Sequence, residues 1–207
     1  CRECGASHYQ WSGQCLYCRE WNTLEEIVIS QPSITKSATL KGLPPSQVQN
    51  LSEVKTQANS RYSTGLSELD RTLGGGLVDG SVVLIGGDPG IGKSTLILQA
   101  LAFANKSHTT LYVSGEESSE QISGRAVRLG VKEDIFFVSE TYLEKILKLT
   151  QEVQPKIIVI DSIQTMVTDQ SSSAPGSVSQ VRDCAAQLTQ YAKQTNTILI
   201  MIGHVTK

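Results

Sequence analysis

From Gly87 to Ser94 the chain reads GDPGIGKS, a G-x-x-x-x-G-K-[ST] spacing without a mismatch. Glycines in such a loop let successive backbone N–H groups turn inward, and the resulting concavity suits a phosphate. The lysine then reaches the β- and γ-phosphates of a nucleoside triphosphate, and the serine hydroxyl can ligate Mg2+. Gly87, Asp88, Pro89, Gly90, Ile91, Gly92, Lys93, Ser94 and Thr95 are therefore expected to grip ATP or ADP. A glycine-rich loop alone carries little weight. This one is complete, follows the strand-like SVVLIGG and precedes the helix-like TLILQALAFAN, which is the context the chemistry requires.

A second group arrives with KIIVIDS. The apolar run Ile157 to Ile160 predicts a buried strand that delivers Asp161 to the carboxyl edge of a sheet, where open α/β folds bind their ligands. Asp161 is expected to hold Mg2+, usually through water; its other reading is a cap on the following helix. Ser162 would cap or touch the same water shell. Hydrolysis also needs a carboxylate to orient or deprotonate water. The residue after Asp161 is a serine, so the candidates become Glu116 and Glu117, at the end of TTLYVSG. One of them would face the γ-phosphate while the other starts the helix SSEQI, where acidic side chains are favoured; both could also be helix-start charges.

A third group is separate. Cys1, Cys4, Cys15 and Cys18 form two C-x2-C pairs, which could be a disulfide framework, redox pairs or a metal site. In a reducing compartment such pairs more often hold metal, and four thiolates complete the tetrahedral shell of a structural Zn2+. His8 is an alternative ligand that a four-thiolate shell does not need. About 25 residues cannot bury a core of their own, so zinc would supply the folding energy. Cys184 stands in an amphipathic run and is expected to be a small core residue rather than a fifth ligand.

These groups need elements to place them. TTLYVSG, DIFFVSE, KIIVID and TILIMIG are short runs rich in β-branched and aromatic residues, and SEQISGRAVRLG, YLEKILKLTQEV and SVSQVRDCAAQLTQYAKQ between them have helical spacing. Alternation of this kind predicts an α/β fold whose parallel sheet carries helices on both faces. Ahead of it, QPSITKSATLKGLPPSQVQNLSEVKTQANS is irregular and rich in Ser, Pro, Gln and Thr, as tethers are. The expected domains are a zinc ribbon at 1–24, a linker at 25–58 and a P-loop core at 59–207. The 207 residues carry a net charge of −2 and are 39% hydrophobic. No global basic field advertises nucleic acid, so any DNA contact needs a local patch. No apolar run approaches the roughly 20 residues that span a bilayer. No signal peptide precedes Cys1 and no initiator Met is present, so the expected start is a processed or trimmed one and the expected compartment is the cytoplasm.

STGLSELDRTLGGGL, GDPGIGKST, LYVSGEES, IIVIDSIQTM and IMIGHVTK together resemble the RecA-like ATPase core. With the four-cysteine ribbon in front, the chain is similar throughout its length to the RadA (Sms) family of bacterial DNA repair and recombination proteins. The resemblance implies that Glu116 activates water and that His204 senses the γ-phosphate. It also implies a DNA-dependent ATPase of hexameric helicase type, which binds single-stranded and branched DNA and promotes branch migration with the RecA recombinase. In that family a Lys-Asn-Arg-Phe-Gly motif completes a site between subunits, and DNA-binding loops and a Lon-protease-like domain follow. None of these occurs before Lys207, so the expectation is the N-terminal part of a longer protein, C-terminally incomplete in its core, that binds nucleotide and turns it over little by itself. Arg2, Arg19, Tyr9, Trp11, Tyr17 and Trp21 could touch DNA or a partner, or pack the ribbon. An ATP-gated switch that binds DNA and a recombinase without translocating is the alternative to a motor.

Overall fold

The computed structural model describes residues 4, 13–23, 50 and 60–204. Cys1, His8, Tyr9, Trp11, the residues after His204 and, apart from Asn50, the expected linker lie outside the described residues. The chain divides into two compact units, Cys1–Lys55 and Thr56–Lys207.

In the second unit each long apolar run forms a strand: β3 (Val82–Gly87), β4 (Thr110–Ser114), β5 (Phe136–Ser139), β6 (Ile157–Asp161) and β7 (Ile198–His204). They make one parallel sheet in the order β3-β7-β6-β4-β5. The helices between them are α2 (Lys93–Ala104), α3 (Ser119–Arg128), α4 (Leu143–Val153) and α5 (Val178–Thr195). Because side chains alternate along a strand, the sheet feeds two cores. Leu111, Val113, Ile158, Ile160, Leu199 and Met201 point to one face, against Leu143 and Ile146 of α4 and Cys184, Leu188 and Ala192 of α5. Tyr112, Ile157, Val159, Ile198, Ile200 and Ile202 point to the other, against Ile97, Leu98 and Leu101 of α2 and Ile122 of α3. The expected fold is the observed one. Cys184 is fully buried as core, and burial pushes its thiol up to about 11, with Glu144 and Asp183 adding to the effect.

Three small elements precede the sheet: β1 (Arg61–Tyr62), α1 (Ser67–Thr72) and β2 (Leu77–Val78), with β1 and β2 antiparallel. They are too short to show a period, with two residues in each strand and six in the helix, and side-chain bonds help to hold them. Asp70 Oδ1 accepts from the Thr64 backbone N–H at 2.8 Å and from the Thr64 hydroxyl at 2.7 Å.

Register brings the chemistry to one edge. Gly87 lies opposite His204, Asp161 opposite Ile202, and Ser114 opposite Asp161. The carboxyl ends of β3, β7, β6 and β4 therefore finish side by side. Among the described residues no helix is long and apolar enough to cross a membrane.

Candidate functional site

The loop after β3 turns through Gly90 and Gly92, whose φ angles of 79° and 96° are in the left-handed region that favours glycine. A Cβ at either position would meet nothing within 4 Å, so it is backbone conformation and not crowding that calls for glycine there. The helix that follows lacks both a side-chain cap and a first-turn acid, whereas α1 and α4 are uncapped but carry first-turn acids. Ser118 caps α3 and Ser177 caps α5, each accepting from a first-turn backbone N–H. α2 begins on Gly92 with no side-chain cap and no acidic residue in its first turn, which leaves its leading amides and positive end for an anion. Lys93 is buried, and its Nζ donates to the carbonyls of Gly87 at 2.9 Å and Asp88 at 2.8 Å. These residues fit a nucleotide phosphate.

Asp161 ends β6 on the face that carries α2, with 6% of its surface exposed. Its Oδ2 accepts from the hydroxyl of Tyr112. Ser94, a first-turn hydroxyl of α2, follows Lys93 on the helix packed against that face. A hydroxyl and a carboxylate beside the loop are the donor set that Mg2+ prefers, since it takes oxygen ligands and keeps several waters. Tyr112 was missed from the sequence. The available signal was a polar-tipped aromatic between the aliphatics Leu111 and Val113 of a buried strand, on the face that Asp161 shares.

The two glutamates part company. Ser114 Oγ accepts from the backbone N–H groups of Glu117 at 2.9 Å and Glu116 at 3.4 Å, which curls the chain as it leaves β4. Gly115 sits under the curl, where a Cβ would be 2.1 Å from Thr165 Oγ1. Glu116 turns to the sheet edge: its Oε1 accepts from Ser162 Oγ at 2.5 Å and lies 3.3 Å from His204 Nε2. His204 Nδ1 lies 3.4 Å from Lys93 Nζ, so Ser162, Glu116, His204 and Lys93 form one polar chain across the strand ends. Glu117 turns away and pairs with Arg125 of α3, and its Oε2 is buried. It is not a first-turn charge of α3, whose acidic first-turn residue is Glu120; the guanidinium competes for it more strongly than the helix end does.

In the first unit, the Sγ atoms of Cys4, Cys15 and Cys18 all lie within 4.8 Å of one another, with Cys4 and Cys15 3.7 Å apart. Sulfur–zinc bonds of about 2.3 Å in a tetrahedron place thiolates about 3.8 Å apart, far beyond a disulfide bond of about 2.05 Å. The second C-x2-C forms a tight knuckle: Arg19 N–H donates to Cys15 C=O at 2.9 Å, and Cys15 N–H to Glu20 C=O at 3.0 Å. Three thiolates thus fit zinc, and the fourth expected ligand, Cys1, lies outside the described residues.

A family described as an AAA domain matches residues 49–207. The chain belongs to that family. Residues 1–26 match a second family, described as a rubredoxin metal binding domain, in accord with the thiolate cluster. The curated proteins named DNA repair protein RadA include relatives from Pseudomonas aeruginosa at 50% identity, Haemophilus influenzae at 48% and Escherichia coli at 47%. Each alignment covers 100% of this chain and 46% of the relative, so the chain spans about half the length of the curated relatives it matches. The resemblance to RadA runs through ribbon and core alike.

Proposed function

We propose that this chain is the ATP-binding and ATP-hydrolysing part of a DNA repair protein of the RadA kind, with a zinc ribbon ahead of it. The observation that carries the proposal is the convergence of Lys93, Asp161, Glu116 and His204 on one sheet edge beside an uncapped helix N-terminus. Lys93 exchanges its two loop carbonyls for the β- and γ-phosphates. Ser94 and Asp161 hold Mg2+, which when bound neutralises charge between those phosphates. Glu116, whose side chain is 41% exposed, has the solvent access a water-activating base needs. Ser162 and His204 fix its carboxylate, and His204 lies where a γ-phosphate would be felt by both Glu116 and Lys93. Glu117, tied to Arg125, serves the shape of the strand end and not the chemistry.

For the whole protein the reading is a DNA-dependent ATPase of homologous recombination and repair in the cytoplasm, assembled as a hexameric ring, acting on single-stranded and branched DNA with the RecA recombinase as partner. Support comes from the full-chain similarity to proteins named for DNA repair and from the RecA-like arrangement of the sheet edge. Strand displacement by the full-length protein, with ATP and with a non-hydrolysable analogue, tests it. Unwinding that requires ATP is expected; equal remodelling with the analogue would replace the motor by an ATP-gated binding switch.

A further inference from the structure

The phenol of Tyr112 is a costly group to place where it is. The residue is fully buried in the core between the sheet and α2, and its ring stacks on Phe137 with centroids 6.3 Å apart. A phenylalanine would make the same packing without desolvating a hydroxyl, which costs free energy unless the hydroxyl is used. Here it is used on one acceptor, Oδ2 of Asp161. We propose that Tyr112 is a positioning residue for the magnesium-holding carboxylate: by occupying Oδ2 it orients Asp161 and leaves Oδ1 as the oxygen offered to the metal's water shell. The inference rests on the reading of Asp161 as that carboxylate.

Two further observations support the role. Tyr112 sits at the centre of β4, beside β6 and on the sheet face that Asp161 shares, and its phenolic O–H donates to the carboxylate. Ser94, the other residue assigned to the metal, is on α2, which packs on that same face. Tyr112 therefore lies between the strand that carries Asp161 and the helix that carries Ser94. Groups that orient a metal's ligands from behind typically cost about 10–100-fold in metal affinity when removed.

The experiment compares Mg2+ titrations of ADP binding in the full-length wild type, Tyr112→Phe and Asp161→Asn, with ADP binding in chelator as the reference. Tyr112→Phe is expected to raise the half-saturating Mg2+ concentration about tenfold or more, while metal-free ADP affinity and the melting temperature stay close to wild type. An unchanged Mg2+ response in Tyr112→Phe, with a shifted one in Asp161→Asn, overturns this inference and leaves the site assignment standing. Unchanged responses in both variants overturn the assignment of Asp161 and this inference with it. Loss of ADP affinity with and without metal marks a purely structural tyrosine and also overturns it. Should Tyr112→Phe fail to fold, a fluorotyrosine incorporated at position 112 reports by fluorine NMR. Its resonance is expected to shift when Mg2+ is added to the ADP-bound protein, and an unmoved resonance refutes the role.

Discussion

The cysteine ribbon and the P-loop core solve the same problem in opposite ways. In the core, strands β4 and β6 are buried from end to end, and two apolar layers hold the sheet before any ligand arrives. In the ribbon, Cys15 is the one buried side chain among the described residues, while Leu16, Tyr17 and Trp21 are all more than two-thirds exposed or close to it, at 79%, 77% and 67%. So few residues cannot enclose enough apolar surface to offset chain entropy. A metal bonded to the thiolates would take the place of such a core. The difference teaches that the chemistry-bearing residues have different duties: the thiolates of the ribbon make its fold, whereas the core's site residues hang on a fold that stands without them.

The widest gap should open on removing zinc. Structural zinc sites carry about 10–16 kcal/mol of binding energy in small peptides, so chelation or Cys15→Ser is expected to unfold the ribbon completely. Metal analysis should fall from one zinc per chain to none, and a thiol reagent should then label the ribbon cysteines but not Cys184, which is 0% exposed. ADP binding by the core should survive. Loss of nucleotide binding on chelation would break the comparison at its root.

Next in size is the division of labour between the glutamates. Glu116→Gln in the full-length protein should keep ATP bound and slow hydrolysis by about 10^2–10^4-fold, as loss of a general base does. Glu117→Gln should cost far less in turnover, its effect falling on the Arg125 pairing and hence on stability. Single-turnover phosphate release separates the two, and the reverse ranking would place the base on the wrong glutamate.

A smaller effect tests how tightly the core is filled. Gly115→Ala drives a methyl into Thr165, and overpacking of this kind costs about 1–3 kcal/mol; the double variant with Thr165→Ala should recover part of it in urea melts. The smallest change belongs to the ribbon. Leu16→Ala removes a side chain that is 79% exposed and should alter stability by no more than about 0.5 kcal/mol, with zinc retained. A larger loss would show that apolar packing, and not the metal, holds the ribbon.

Much of this architecture was legible in order along the chain. Strand and helix periodicity placed β3 to β7 and α2 to α5, most plainly for β4, β6 and β7, whose burial on both faces reads as continuous apolar runs. The phosphate loop was legible because backbone amides, not distant partners, do its work. What stayed hidden were side-chain partners far apart in sequence: Ser162 on Glu116, 46 residues away, and His204 on Glu116, 88 residues away.

The sequence by itself determined the α/β class, the loop at Gly87–Thr95 and the strand that ends on Asp161, since each depends on local spacing and burial. Only the tertiary structure set Glu116 and Glu117 on different partners, because the two are neighbours whose contacts depend on what waits on either side. Ser162 and His204 stand at the sheet edge and Arg125 on α3. It likewise set the phenol of Tyr112 on Asp161, 49 residues apart. Sheet order and register bring those side chains within a few ångströms of each other, and neither quantity is written in any local stretch of the chain.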